Sequence, residues 1–452
     1  MICGLLSLIG FGLAVPNFAA SPTSFASGGR RVFSRYCNLD TVWVQPPVEA
    51  LELLQVQVVH RHGARSLWAP LDCWAPSAGD AAERPPFHCD LPFSISAGGG
   101  RLMRKTFDEP GGCGLGSLLK QASQQFRDLA SSLNASYGET SLWRQLNLKD
   151  SSTRFYSCNN ERNLGSLDLL TSQLFPGTPT EAFVPVHTLP LHKDPFQLSG
   201  YVATSPCDGS PLEAVKEMKA DQDYQAFATK WQQRANVSWN HMLYDCILTA
   251  RCAGLPLPAA IDDELADEAL YWGWRQQMAA VRKTNWTSLI ASRALEALAT
   301  QLKKALSGGG PRLALWSTHD STIIYLLNAL MAWDDIWPGY ASCFVLELYQ
   351  SPAGHMIRVV RDGKPLTLGV CGEVLCPLSR FLDAIDSWQD WGCSPKSKEA
   401  VVLEEASAEQ LFDSENGSWL PGALLGTSMV LGPLLWVQCR RPSDLHVPLI
   451  ER

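Results

Sequence analysis

Residues 51–65 read LELLQVQVVHRHGAR, and the fold hangs on that stretch. Leu53 to Val59 is an apolar, β-branched run that stops at His60-Arg61-His62-Gly63, the pattern of a buried strand delivering a loop. A second apolar run, Arg312 to Trp316 (RLALW), ends at Ser317-Thr318-His319-Asp320. An open α/β sheet places its ligands beyond the carboxyl ends of its strands. Two strands that each end in a histidine beside another ionisable group therefore predict an α/β protein with its site at one sheet edge.

Outward from these strands, Gly116 to Leu133 carries leucines and Phe126 at helical spacing, Arg154 to Cys158 reads as a short strand, and Leu164 to Leu174 as a helix. Ser321 to Trp333 reads as another helix. Phe344 to Tyr349 and Met356 to Arg361, joined by a Pro-Ala-Gly turn, read as a hairpin. Residues 66–112 are rich in Pro, Gly and Cys and read as an irregular insertion. Residues 175–300 change character, to Pro-rich loops and amphipathic helices around 211–236 and 260–306. That change predicts a mostly helical cap at 175–300, inserted into an α/β body made of 51–174 and 301–395. Residues 22–50 form a lead-in that Cys37 staples to the body, and the acidic, polar residues 396–418 form a solvated stalk.

The composition narrows the functional classes. A net charge of −8 argues against general nucleic-acid binding, although a local arginine cluster can still hold an anion. Of 14 cysteines, Cys3 lies in an N-terminal apolar stretch and Cys439 follows a C-terminal one. The twelve between them show no paired C-x-x-C spacing and read as disulfides of an oxidising compartment, not as a metal site. No metal or organic cofactor is implied. Sequons at Asn134, Asn236, Asn285 and Asn416 agree with a secretory route.

Both ends point to a membrane. Residues 1–21 have the apolar core and small-residue exit of a signal peptide. From Asn416 to Cys439 no residue is charged, and residues 419–438 at a helical rise span roughly 30 Å, one hydrocarbon core. Trp419 and Trp436 sit where interfacial indoles belong, and Arg440-Arg441 places residues 439–452 in the cytosol. The expectation is a single-pass type I protein of the lysosome, endosome or cell surface.

The chemistry lies in the two strand ends. In His60-Arg61-His62-Gly63-Ala64-Arg65, two guanidinium groups flank one imidazole, and their forked donors match phosphate oxygens. Gly63 allows close backbone approach and an unusual φ. Alone, this pattern also suits a basic surface turn. His319-Asp320 adds a donor next to a carboxyl group able to deliver a proton, although an aspartate at a helix start is also a common capping feature.

Together these residues resemble the histidine phosphatases, in particular the acid phosphatase branch of prostatic and lysosomal type, with its R-H-G-x-R and H-D motifs. The likeness extends through the Arg162 region (FYSCNNERNLGSLDLLTSQLFPG), Pro185 to Thr188, Trp316 to Thr322, Tyr340 to Tyr349, and Cys371 to Leu378. It implies a phosphoglycerate-mutase-like mixed sheet flanked by helices, with a helical cap. It implies hydrolysis of small phosphate monoesters through a phosphohistidine on His62, with Asp320 as general acid. Arg61, Arg65, Arg162 and His319 become the phosphate-binding groups. The nucleophilic imidazole must be neutral, and neighbouring arginines favour that state. The resemblance also implies disulfides Cys207–Cys393, Cys246–Cys343 and Cys371–Cys376. It assigns no partner to Cys37, Cys73, Cys89, Cys113, Cys158 or Cys252.

Two departures concern loop shape and substrate choice. Leu67 stands where the family usually has proline, and Ser157-Cys158-Asn159 replaces a stretch that commonly holds threonine and arginine. Three alternatives therefore stay open within one fold: an enzyme dedicated to inositol polyphosphates, to phospho-sugars of glycans, or to lysophospholipid phosphates. An inactive ectodomain serving as an adhesion or sorting receptor is the alternative from another class. A second copy of the chain is a further candidate partner.

Overall fold

The computed structural model describes residues 31–37, 42–74, 94–98, 101–105, 113–148, 150–176, 185–190, 193–197, 216–281 and 284–389. The expected signal peptide, stalk and membrane helix, together with Cys89, Cys207, Cys393 and Asn416, lie outside them. Among the described residues no helix is long and apolar enough to cross a membrane.

The strands are β1 (Glu52–Arg61), β2 (Ser94–Gly98), β3 (Arg101–Lys105), β4 (Thr153–Ser157), β5 (Val186–His187), β6 (Leu313–Thr318), β7 (Cys343–Ser351), β8 (Gly354–Arg361), β9 (Lys364–Pro365) and β10 (Leu375–Pro377). The main helices are α1 (Gln121–Tyr137), α2 (Glu161–Leu174), α3 (Gln222–Ala235), α4 (Tyr244–Cys252), α5 (Asp263–Val281), α6 (Thr284–Leu306), α7 (Asp320–Ala329) and α8 (Leu378–Gln389). One sheet runs β10-β8-β7-β1-β6-β4-β5, with β9 paired to β8. Strands β1, β6, β4 and β5 are parallel, whereas β7, β8 and β10 continue the sheet antiparallel. β2 and β3 pair as a separate hairpin inside the insertion that reads as irregular in the sequence.

Strand alternation sorts β1 between two cores. Val56 and Val58 join Phe126, Leu129 and Leu133 of α1 and Leu167 and Leu170 of α2 on one face. Val59 joins Leu298 and Leu302 of α6 and Phe381 of α8 on the other. That second core runs without a break into Trp231 of α3, Ile247 of α4 and Trp272 of α5. Helix α6, which the sequence splits across the cap boundary at residue 300, lies against β1, α7 and α8.

Two glutamines on the same face of β1 are buried and would be costly if unpaired. They are satisfied. Gln55 Nε2 donates to the Pro311 carbonyl at 2.6 Å, and Gln57 Nε2 to the Leu298 carbonyl at 3.0 Å. Trp316 Nε1 donates to Gln57 Oε1 at 3.2 Å. The amides thus tie the central strand to α6 and to β6.

The disulfides differ from expectation. Cys37 pairs with Cys252 and Cys73 with Cys246, while Cys371–Cys376 forms as the family resemblance implies. Cys246–Cys343 does not form, and Cys343 is a buried thiol, as is Cys158. The reason is topological. Cys246 belongs to the core on the α6 side of the sheet, whereas Cys343 belongs to the α1 and α2 side, so the sheet separates them. Cys113 is disulfide-bonded.

Asn134 and Asn236 are exposed, as glycosylation requires, and Asn285 lies in the first turn of α6.

Candidate active site

Because β1, β6 and β4 are parallel, their carboxyl ends meet at one edge of the sheet. Register pairs Arg61 with Thr318, and Ser157 with Ser317. The chains stay bonded just past the strands: the His62 N–H donates to the Thr318 carbonyl at 3.1 Å, and the Cys158 N–H to the Ser317 carbonyl at 3.0 Å. Arg61 and His62 thus come from the end of β1, His319 and Asp320 from the start of α7, and Arg162 from the first turn of α2.

The loop after β1 is clamped by helices on one side. A Cβ on Gly63 would stand 2.6 Å from the Ala122 Cβ of α1, so glycine is required there by close approach. Gly63 is not among the positive-φ residues, and the unusual φ expected of it is absent. Its N–H donates to Ser166 Oγ at 3.0 Å, and the Ala64 N–H to Gln125 Oε1 at 2.8 Å.

The two motif histidines part company. His60 is a core residue, packed edge-on to Phe126 with ring centroids 5.2 Å apart. His62 lies 5.6 Å from His319, centroid to centroid. Its Nδ1 is 3.0 Å from the Gly63 carbonyl, which can only accept, so Nδ1 carries the proton and Nε2 the lone pair. Burial, then Arg162, Arg61, Arg65 and His319, hold the His62 imidazole well below its ordinary pKa, and it is neutral. His319 is pushed down to about 3, by burial first and then by Arg162. The Asn160 amide donates to His319 Nε2 at 3.3 Å, an orientation fixed because Asn160 Oδ1 caps α2 at Asn163 N–H. The His319 proton therefore sits on Nδ1.

Arg61 is fully buried between Tyr36 and Tyr340, its guanidinium 4.3 Å from each ring centroid. It donates to the Pro338 carbonyl at 2.7 Å and the Tyr36 hydroxyl at 2.6 Å, and it pairs with Asp320 at 3.0 Å. Arg65 donates through both terminal nitrogens to Asp245, at 2.9 and 3.0 Å. Arg162 is lowered to about 10 by burial and by Arg65, and it stays cationic in acid and neutral solution. The Nε–H of each of these three arginines is buried without an acceptor among the described residues. Buried donors of that kind are rare, and three around one imidazole suit a ligand rich in anionic oxygens.

Asp320 accepts from Trp337 Nε1 at 2.9 Å and from the Ser321 N–H at 2.8 Å. Burial pushes its carboxyl up, but Arg61, Trp337, Arg65 and His319 outweigh burial and hold it below the ordinary carboxylate range.

All six residues that the sequence points to converge here. Tyr36, Asp245, Trp337 and the supporting role of Tyr340 are not evident from it. Tyr36 lies in the lead-in, next to the disulfide-bonded Cys37, and its hydroxyl accepts from Arg61.

The model of the histidine phosphatase superfamily, branch 2, matches residues 52–362, well over half of the chain. The chain belongs to that family. Among relatives of this branch-2 histidine phosphatase, prostatic acid phosphatase of Rattus norvegicus is 27% identical over 318 residues, covering 62% of this chain and 80% of that one. Lysophosphatidic acid phosphatase type 6 of Mus musculus is 26% identical over 378 residues, covering 75% and 87%. In fold, the chain is similar to a phytase of Hafnia alvei, with a TM-score of 0.52 at 12% identity, covering 76% of this chain and 98% of that one. The mixed α/β sheet flanked by helices is thus that of the histidine phosphatases.

Proposed function

We propose that the protein is a phosphomonoesterase in which His62 is the nucleophile, supported above all by its neutral imidazole amid three arginines with open Nε–H groups. The Nε2 lone pair attacks phosphorus while the bond to the ester oxygen breaks. The departing alkoxide takes the proton of Asp320. Water then attacks the phosphohistidine, gives a proton to Asp320, and the P–N bond breaks to release inorganic phosphate and neutral His62. Arg61, Arg65, Arg162 and His319 hold the phosphoryl oxygens through the displacement, where positioning and electrostatics dominate.

Asp320 is ionised in the ligand-free site, mainly because Arg61 overcomes its burial. A bound phosphate competes for Arg61 and repels the carboxylate, so substrate itself raises Asp320 toward the protonated form that the first step needs. Low pH supplies that proton. His62→Ala should abolish turnover while leaving thermal unfolding near that of the wild type. Near-normal turnover in the variant would remove His62 from the mechanism.

The secretory and membrane-anchored reading belongs to the same proposal. It draws support from the disulfides Cys37–Cys252 and Cys73–Cys246 and from the uncharged residues 416–439 followed by Arg440-Arg441.

A further inference from the structure

Arg65 is held by protein on both terminal nitrogens. Nη1 donates to the Ser66 carbonyl at 3.0 Å and to Asp245 Oδ2 at 2.9 Å, and Nη2 to Asp245 Oδ1 at 3.0 Å. Only Nε–H and one Nη hydrogen remain. Asp245 is fully buried in the first turn of α4. Disulfides pin that helix at both ends, through Cys246 to Cys73 and through Cys252 to Cys37.

No bond made or broken in the displacement needs Asp245. Its burial instead cancels one of the cations meant for phosphate. The titratable groups around it are Arg65 and Arg162, with the phenols of Tyr36, Tyr244 and Tyr340, all pushed up by burial and therefore neutral. His62 and His319 are also neutral. Three guanidinium charges on Arg61, Arg65 and Arg162, against the two carboxylates Asp245 and Asp320, leave the cradle with one net positive charge. One negative charge balances it, and a phosphate dianion is balanced only by drawing a proton onto Asp320 as it binds.

We infer that Asp245 is a positioning and specificity-determining residue, which fixes the Arg65 fork and trims the cradle's charge to suit a single phosphate group bound together with one proton, on the phosphate or on Asp320. This inference rests on Arg65 being a phosphate-binding residue. Substrates crowded with phosphates are disfavoured, and inorganic phosphate leaves readily once the second proton is gone.

The test is calorimetric binding of inorganic phosphate to the full chain at pH 5 and pH 8, independent of turnover. Across that range phosphate loses its second proton, while burial and the neighbouring arginines hold His62 and His319 toward the neutral form. Wild-type affinity should weaken about tenfold from pH 5 to pH 8, the order expected for one extra unbalanced charge in a partly screened site. Asp245→Asn should bind phosphate about tenfold more tightly than wild type at pH 8, with KM and kcat falling together as product lingers. A purely structural Asp245 would lower the melting temperature and leave phosphate affinity unchanged. Tighter wild-type binding at pH 8 overturns the inference without any variant having to fold. So does a folded Asp245→Asn whose affinity at pH 8 is unchanged or weaker. Absence of turnover in a wild type that binds phosphate in this pattern would count against the phosphatase reading alone.

Discussion

Asp320 and Arg65 both touch the charge in the site, but they answer to different substrates. Asp320→Asn keeps the hydrogen bonding and size of the side chain yet has no proton to give a leaving oxygen. General acid help is worth roughly 10²–10⁴ in rate, and most for a basic leaving group. The variant should therefore lose far more kcat/KM on alkyl phosphates than on nitrophenyl phosphate, whose phenolate leaves unaided. If Arg65 holds the phosphoryl group as proposed, Arg65→Ala removes a contact shared by both esters, and it should lower both about equally. Equal losses on the two esters for Asp320→Asn, with chemistry rate-limiting, would reduce Asp320 to an electrostatic partner of Arg61.

At the scale of elements, the loop after β1 is packed closely against the helices that grip it. Gly63→Ala drives its new methyl to 2.6 Å from the Ala122 Cβ and 3.1 Å from the Phe126 ring. Overpacking of this kind costs about 1–3 kcal/mol, readable in denaturant unfolding. Ala122→Gly in the same chain removes the nearest clashing atom and should return part of that loss. If Gly63→Ala alone unfolds like the wild type, the contact between loop and α1 is looser than described.

The same elements show what the sequence reveals and what it hides. β1 and β6 were legible because each is an apolar run stopped by ionisable residues, and parallel pairing then brings His62, His319 and Asp320 together. The structure extends both runs, to Arg61 and Thr318, because polar residues at a strand's end still pair in the ladder. Asp245 and Tyr36 carry no such signal. Asp245 meets Arg65 across a separation of 180 residues, and Tyr36 lies upstream of any periodic element. Each is a lone polar residue whose role is set by its distant partner. The Cys246–Cys343 pairing failed for a related reason: a resemblance to a family does not say which face of the sheet a thiol occupies in this chain.

Across the whole molecule, burying neutral histidines makes stability depend on pH. His60 is lowered to about 4 and His319 to about 3, both chiefly by burial, and His62 is lowered as well. Below about 6.5 the unfolded chain takes up protons that the folded protein refuses. Stability should therefore fall as pH drops from about 6.5 toward 4, with a slope approaching 1.4 kcal/mol per pH unit for each such histidine. Asp320 is lowered too, and its contribution is lost only at still lower pH, outside that window. Melting temperatures taken from pH 7 to pH 4.5 should decline, and added phosphate should offset the decline by binding the folded state. A flat or rising profile would mean that these rings are not buried neutral.

The phosphoryl group on His62 is the most direct observable. Rapid acid-free quenching of the full chain during turnover of a labelled phosphomonoester should trap label on protein. That label should be stable in alkali and lost in acid, as a phosphoramidate is, and it should map to the peptide holding His62 and vanish in His62→Ala. Label that survives acid, maps elsewhere, or persists in His62→Ala would contradict a phosphohistidine at the end of β1.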